Sequence, residues 1–356
     1  MSDSHNRHRF EVLTADAWDD REEQLSACHT AARGQRRDSR YWRWRYLEAP
    51  DGGALICAFR NGRMVGILGN TYLRARHGEG RVLAGVMGDL SMPVSDRSWA
   101  CYTGLLQRSL THGVEHCVSF GYAFAHGNAA ALSSRVGTVC VGRMPVWSGF
   151  LDVRRALAGR RLGAALSLLV APGQPLLGVA NGERTPGNVV VDSLTDPFDV
   201  TFARLWESVA QGRDVGVVRD APYLNWRYVR RPDARYLRLV ARSAGEPAGL
   251  AVVRTRPDQR KAYLLELMAR DDSPTVLRVL AGEVVRRMAQ QGIGLVTACF
   301  PPGSAETRVL AAMRFQRWGT RLWDVILTVT PGDRGKREPE ASMRRWYFSL
   351  GDWLTH

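Results

Sequence analysis

The pattern Y-x-x-W-R-Y-x-x-x-P occurs twice in the chain, as Tyr41–Pro50 and, 182 residues further on, as Tyr223–Pro232. A repeat of that spacing is domain-sized, so it points to two copies of one domain and excludes a solenoid. The similarity runs past the motif. Leu55–Arg60, Asn61-Gly62 and Met64–Leu68 read as strand, turn, strand, and so do Tyr236–Ala241, Ala244-Gly245 and Ala248–Val253. Val86–Met92 matches Tyr263–Ala269, each an apolar run broken by one carboxylate, Asp89 or Glu266. Trp147-x3-Leu151-x-Val153 matches Trp323-x3-Leu327-x-Val329 near the end of each half.

These landmarks divide the 356 residues into a first domain over 1–153, a connector over 154–188, a second domain over 189–331 and a closing stretch over 332–356. The connector starts basic and Ala/Leu-rich, which predicts a helix, and becomes Pro/Gly-rich after Pro172. Each half reads as strand, helices, three antiparallel strands, helix, strand, helix, strand. That order predicts an α/β fold, an α+β mixed sheet with helices on both faces. Val146–Val153 is expected to close the first half and Trp323–Val329 the second. Tyr102, Leu105, Leu106, Ser109 and Leu110 share one helical face, with Gly113 expected to end that helix.

The net charge of +14, nearly all from arginine, suits a phosphate-bearing partner, or else reflects an arginine-rich coding bias spread over solvated faces. The six cysteines are scattered with no C-x-x-C. Cys57, Cys117, Cys140 and Cys299 sit in apolar runs and are expected as buried free thiols. No apolar leader and no transmembrane run is evident, and a cytoplasmic protein is expected. Zinc, Walker and Rossmann patterns are absent. His112 and His116 are four apart, but a helix ending at Gly113 would separate them. Cys117 has no His or Asp partner that spacing would supply.

The order of elements, the repeated motif at the entry to each hairpin and the closing Trp346-Tyr347-x-Ser349-Leu350-Gly351-Asp352 resemble the GNAT superfamily of acyl-CoA-dependent N-acyltransferases. The arrangement is tandem, and the motif is similar to that of a bacterial branch. The resemblance spans nearly the whole chain and implies two GNAT-like domains. It also implies that two central strands splay apart around the pantetheine arm of acetyl-CoA or another acyl-CoA. The pyrophosphate would sit on a loop of pattern R/Q-x-x-G-x-G/A opening the next helix, an anion at a helix N-terminus.

In the first half that loop is Arg97-Ser98-Trp99-Ala100-Cys101-Tyr102, with Arg97 kept and both glycines replaced. Met92 before it and Asn128 beyond the next strand complete the expected cofactor contacts. The second-half loop is Arg270-Asp271-Asp272-Ser273-Pro274. Its aspartates would repel a pyrophosphate and Pro274 lacks a donor, so the first half is favoured for the cofactor. The general-acid Tyr of many members is replaced by Ser133 in one half and Leu310 in the other, with Tyr122 or Ser133 as substitutes.

A general base must take a proton from the acceptor amine. Asp89 is the first candidate, Glu266 the second and His126 the third. A carboxylate in an apolar strand is costly unless paired. The competing reading is therefore structural, Arg45 with Asp89 and Arg227 with Glu266. The motif aromatics Trp44, Tyr46, Trp226 and Tyr228 read as core. The expected activity is acyl transfer to an amine of a small molecule or sugar. The alternatives are an aminoacyl-tRNA-dependent transferase, which would use the basic charge, and a non-catalytic binding module.

Overall fold

The structure, a computed structural model, describes residues 8–125, 135–136, 138–157, 179, 189–329 and 343–354. The chain forms two compact units. Unit 1 comprises residues 1–141, 230–233 and 324–341. Unit 2 comprises 142–229, 234–323 and 342–356.

Unit 1 begins with β1 (Arg9–Leu13), α1 (Trp18–Arg33) and α2 (Ser39–Tyr46). It continues with β2 (Gly53–Arg60), β3 (Arg63–His77), β4 (Gly80–Ser91), α3 (Trp99–Glu115) and β5 (Val118–Ala125). The sheet runs β1-β2-β3-β4-β5, antiparallel as far as β4 and parallel between β4 and β5. Successive residues of β2 point to opposite faces, yet Ala54 through Phe59 are all buried. Ala54, Ile56 and Ala58 pack with Cys101 and Leu105 of α3, and α1 packs on β3 and β4. Helices thus cover both faces, as expected.

Unit 2 contains α4 (Val153–Leu157), β7 (Val190–Ser193), α5 (Thr201–Ala210), β8 (Val215–Val217) and α6 (Ala221–Tyr228). A meander follows, β9 (Leu237–Ser243), β10 (Glu246–Arg256) and β11 (Lys261–Ala269). Then come α7 (Pro274–Gln290), β12 (Leu295–Cys299) and α8 (Ala305–Ala312). The stripe Leu277, Leu280, Ala281, Val284 and Met288 of α7 lies in the main core with the inner residues of β9–β12. β8 and the short β14 (Trp346–Tyr347) form a parallel pair.

The closing strands depart from the expected assignment. The strand expected over Val146–Val153 to close the first half is the end of β6 (Thr138–Phe150), and its Val146–Phe150 ladders with β12 in unit 2. β13 (Gln316–Val329) delivers Asp324–Val329 to β5 in unit 1. Both segments carry the same Trp-x3-Leu-x-Val pattern, which in the first copy runs past β6 to Val153 at the start of α4, so apolar patterning alone does not distinguish their destinations.

The repeated motif forms helices in both copies. Asp38 caps α2, its carboxylate accepting from Arg40 N at 2.8 Å. Asp220 caps α6, accepting from Tyr223 N at 3.1 Å. The spacing of the motif is a helical one. Tyr41 and Arg45 are four apart and hydrogen bonded at 2.8 Å, and Trp42 and Tyr46 are four apart with stacked rings.

Two local expectations are corrected. Gly113 does not end α3, which runs on to Glu115 with Gly113 buried inside it. His112 and His116 consequently lie on one face with rings stacked 4.0 Å apart. Among the cysteines, Cys28, Cys57, Cys101 and Cys299 are buried, but Cys117 and Cys140 are exposed. Cys117 occupies the turn after α3 with φ +57°. The connector residues 158–178 and 180–188 and the stretch 330–342 lie outside the described residues.

Candidate active site

Asp89 sits where β4 is irregular. The register with β3 shifts between Ile67↔Ser91 and Gly69↔Gly88, and Asp89 has φ +51°. This bulge turns the carboxylate onto α2. Asp89 Oδ2 accepts from Arg45 Nη1 at 2.7 Å, Tyr46 Oη at 2.8 Å and Tyr41 Oη at 3.3 Å. Both partners of the ion pair are almost wholly buried. Burial alone would push the Asp89 carboxyl up, but Arg45 and the Tyr46 hydroxyl hold it below the usual carboxylate value. Arg45 lies directly against the strand, since a Cβ at Gly88 would stand 2.4 Å from its guanidinium. The Arg45–Asp89 pair expected from the sequence is present.

The pairing of β4 with β5 ends just before this bulge. Parallel pairing of β4 with β5 runs from Leu83↔Val118 to Val86↔Tyr122. Among the described residues it goes no further, although β4 continues to Ser91 and β5 to Ala125. Beyond Val86 and Tyr122 the strands therefore part into a wedge. On its β4 side Met87, Gly88, Leu90 and Met92 are only half-buried. Tyr122 itself is 1% exposed and stands where the pairing ends.

The loop from β4 to α3 is held from beneath. Asp96 is fully buried and ion-paired to Arg60 and Arg63, which flank the β2–β3 turn. The sequence reading missed this anchor, which was visible as two arginines around Asn61-Gly62. Ser98 caps α3, its hydroxyl accepting from Cys101 N at 3.1 Å. Arg97, Ser98, Trp99 and Ala100 are exposed, Cys101 is buried and Tyr102 is half-buried. Arg97 Nε donates to Met92 O at 3.3 Å, and the Trp99 and Tyr102 rings lie 5.6 Å apart. The expected cofactor residues from Met92 to Tyr102 thus share one lip of the wedge. His126, Asn128 and Ser133 lie outside the described residues.

Unit 2 has the corresponding wedge. β11 pairs in parallel with β12 from Lys261↔Leu295 to Leu264↔Ala298, and β11 alone continues to Ala269. Tyr228 Oη donates to Glu266 at 2.7 Å, as Tyr46 does to Asp89. The cation differs from expectation. Glu266 is ion-paired at 3.5 Å to Arg219, whereas Arg227 donates to Gly351 O at 3.1 Å and Tyr236 Oη at 2.9 Å. Tyr347 and Ser349, neither singled out for this role, donate to the other Glu266 oxygen at 3.2 and 3.0 Å. Arg219 also pairs with Asp352 at 2.5 Å.

The unit 2 loop is tied to its own unit. Asp272 accepts from Arg213 at 2.6 Å, and Asp271 from Ser208 at 2.6 Å. Both aspartates have positive φ. Leu310, which the resemblance sets in place of a general-acid Tyr, is fully buried core. Among the described residues, no cluster of His, Cys, Asp and Glu could hold a metal ion.

Neither a scan of protein-family models nor a search of curated proteins returns a match. Solved structures do resemble the chain. A GCN5-related N-acetyltransferase from Anabaena variabilis matches over 91% of this chain and 73% of its own, with TM-score 0.64 and 14% identity. A probable N-acyltransferase from Enterococcus faecalis matches over the same shares with TM-score 0.64 and 10% identity. Saccharomyces cerevisiae N-myristoyltransferase with bound myristoyl-CoA matches over 94% and 88%, with TM-score 0.63 and 11% identity. At such identities the likeness is one of fold, an α/β fold shared with these acyltransferase structures. Among the described residues no helix is long and apolar enough to cross a membrane.

Proposed function

We propose that the chain is an acyl-CoA-dependent N-acyltransferase, in the first instance an acetyltransferase, acting on an amine of a small molecule or sugar. In this reading the two units are copies of one domain and unit 1 carries the site. The pantetheine arm lies between β4 and β5 beyond Val86 and Tyr122. The pyrophosphate lies at the N-terminus of α3, beside Arg97 and the exposed residues Ser98–Ala100.

One contrast supports this allocation. The β4 side of the unit 1 wedge is half-exposed and leads to a capped helix start with a cationic Arg97. The β11 side of the unit 2 wedge is wholly buried from Leu264 to Ala269, and although α7 is likewise capped, by Ser273, its loop sets two aspartates beside Arg270.

In the reaction the amine lone pair attacks the thioester carbonyl carbon, the C–S bond breaks and CoA leaves as thiolate. One proton moves from the amine to a base and one is returned to sulfur. Asp89 Oδ2 is committed to three donors and its basicity is lowered. We therefore give Asp89 the task of fixing the bulge beside the wedge, and His126 that of base. Tyr122, at the apex, is the proton donor to the thiolate. Glu266 is the equivalent anchor in unit 2.

The test is thermal unfolding with acetyl-CoA, longer acyl-CoAs and free CoA, since a ligand of the folded state alone raises Tm by mass action. A rise that disappears in Arg97→Glu supports the unit 1 site. No rise at millimolar concentration of any CoA species removes the reading.

A further inference from the structure

We infer that the wedge of unit 2 is a peptide-holding groove whose ligand is the chain's own segment 343–354. The corollary, that the chain offers one acyl-CoA wedge and not two, rests on the function proposed above.

The segment follows β11 past the point where β12 leaves it. Gly351 N donates to Leu265 O at 3.0 Å, and Tyr347 Oη donates to Leu267 O at 3.4 Å. Leu265 and Leu267 both lie beyond Leu264, the last β11 residue paired with β12. Tyr347 and Ser349 bond Glu266, and Asp352 reaches Arg219. Trp346, Tyr347, Phe348, Ser349, Asp352 and Leu354 are each 0–1% exposed. The segment begins with a 3-10 turn over Met343–Arg345, and Trp346-Tyr347 then pairs in parallel with Val215-Gly216 of β8, which is backbone recognition by strand addition.

The fit is selective by residue type. The Tyr347 ring stands edge-on to Trp206 at 5.3 Å and beneath the Arg219 guanidinium at 4.7 Å, so an aromatic is held between apolar and cationic walls. At 351 only glycine fits, because a Cβ there would stand 2.2 Å from Tyr228 Oη and 2.3 Å from Glu266 Oε1. The groove thus reads aromatic, hydroxyl, glycine and acid in the order Tyr347, Ser349, Gly351, Asp352. A pantetheine arm along the same stretch of β11 would need the space that this peptide fills.

Amide hydrogen exchange on the intact chain, with and without free CoA, tests the inference without a variant. We expect amides of 346–352 to exchange at least about a thousandfold slower than unprotected amides, as slowly as β11. CoA should add protection at 87–102 and none at 264–273, with saturation at one molecule per chain. Exchange of 346–352 within tenfold of the unprotected rate overturns the inference. So does CoA-induced protection at 264–273 with loss of protection at 346–352. If CoA binds nowhere, the proposed function fails, while protection of 346–352 still decides what holds the groove.

Discussion

Tyr46 donates its hydroxyl to Asp89 Oδ2 at 2.8 Å across the interior of unit 1. In unit 2 Tyr228, at the same motif position, donates to Glu266 at 2.7 Å. The last aromatic of each motif is therefore a donor to a buried carboxylate. A hydrogen bond to a charged group contributes about 1.5–3 kcal/mol. Tyr46→Phe and Tyr228→Phe are each expected to lose that much, nearly additively, because the sites share no partner. Amide exchange locates the loss: Tyr46→Phe speeds exchange in β4, and Tyr228→Phe in β11. Equal acceleration of both strands by either variant would contradict the assignment.

Arg45 is the sole ion-pair partner found for Asp89 among the described residues, and both side chains are almost wholly buried. Arg45→Met leaves an uncompensated buried carboxylate and is expected to cost about 3–5 kcal/mol. The acid limb gives an independent check. The folded value of Asp89 lies below its unfolded value of about 3.9. Its contribution is thus fully present above the unfolded value and is lost as pH falls through the lower folded one. Asp89→Asn should flatten the stability profile in that window, measured by urea unfolding at successive pH values.

His112 titrates in the opposite sense. Burial, then the neighbouring His116 and Arg108, lower its value to about 4, and its Nδ1 lies 2.6 Å from Tyr72 Oη. Between about pH 6.5 and 4 the unfolded chain binds this proton and the folded chain does not, so stability falls as pH falls through that range. NMR titration should find His112 neutral at pH 5. In His116→Ala its pKa should rise, because a like charge has been removed. A value near 6.5 in the unaltered chain would refute the packing described for α3.

What was legible in the sequence follows the repeat. The Arg45–Asp89 pair could be read because motif and acid recur together, and the hairpins because alternation and glycine turns mark them. Arg219 could not be read as the partner of Glu266. It lies outside the motif, and its other acid, Asp352, is 133 positions away. The closing segment stands out as a pattern, but nothing local states that Tyr347 and Ser349 return to β11. The destinations of β6 and β13 were equally hidden, since each strand satisfies either sheet. In the loop before α3 both glycines of the expected pattern are replaced, and the structure places Trp99 outward, 46% exposed, with Asp96 pinning the backbone from beneath.

Ser98 separates the folding role of that loop from its binding role. Its hydroxyl caps α3 through Cys101 N. Ser98→Ala should therefore lower stability by about 1 kcal/mol. Aspartate is as good a cap as serine and its charge favours a helix N-terminus, so Ser98→Asp should match or exceed the unaltered Tm. The same charge stands where the pyrophosphate is proposed to lie and should weaken CoA by at least about tenfold, or 1.4 kcal/mol. Titration calorimetry beside thermal unfolding reads both effects. Full stability with weakened CoA places the anion at α3. Unchanged CoA affinity in Ser98→Asp would move the pyrophosphate elsewhere, because an added carboxylate at the helix start cannot be neutral toward an anion bound there.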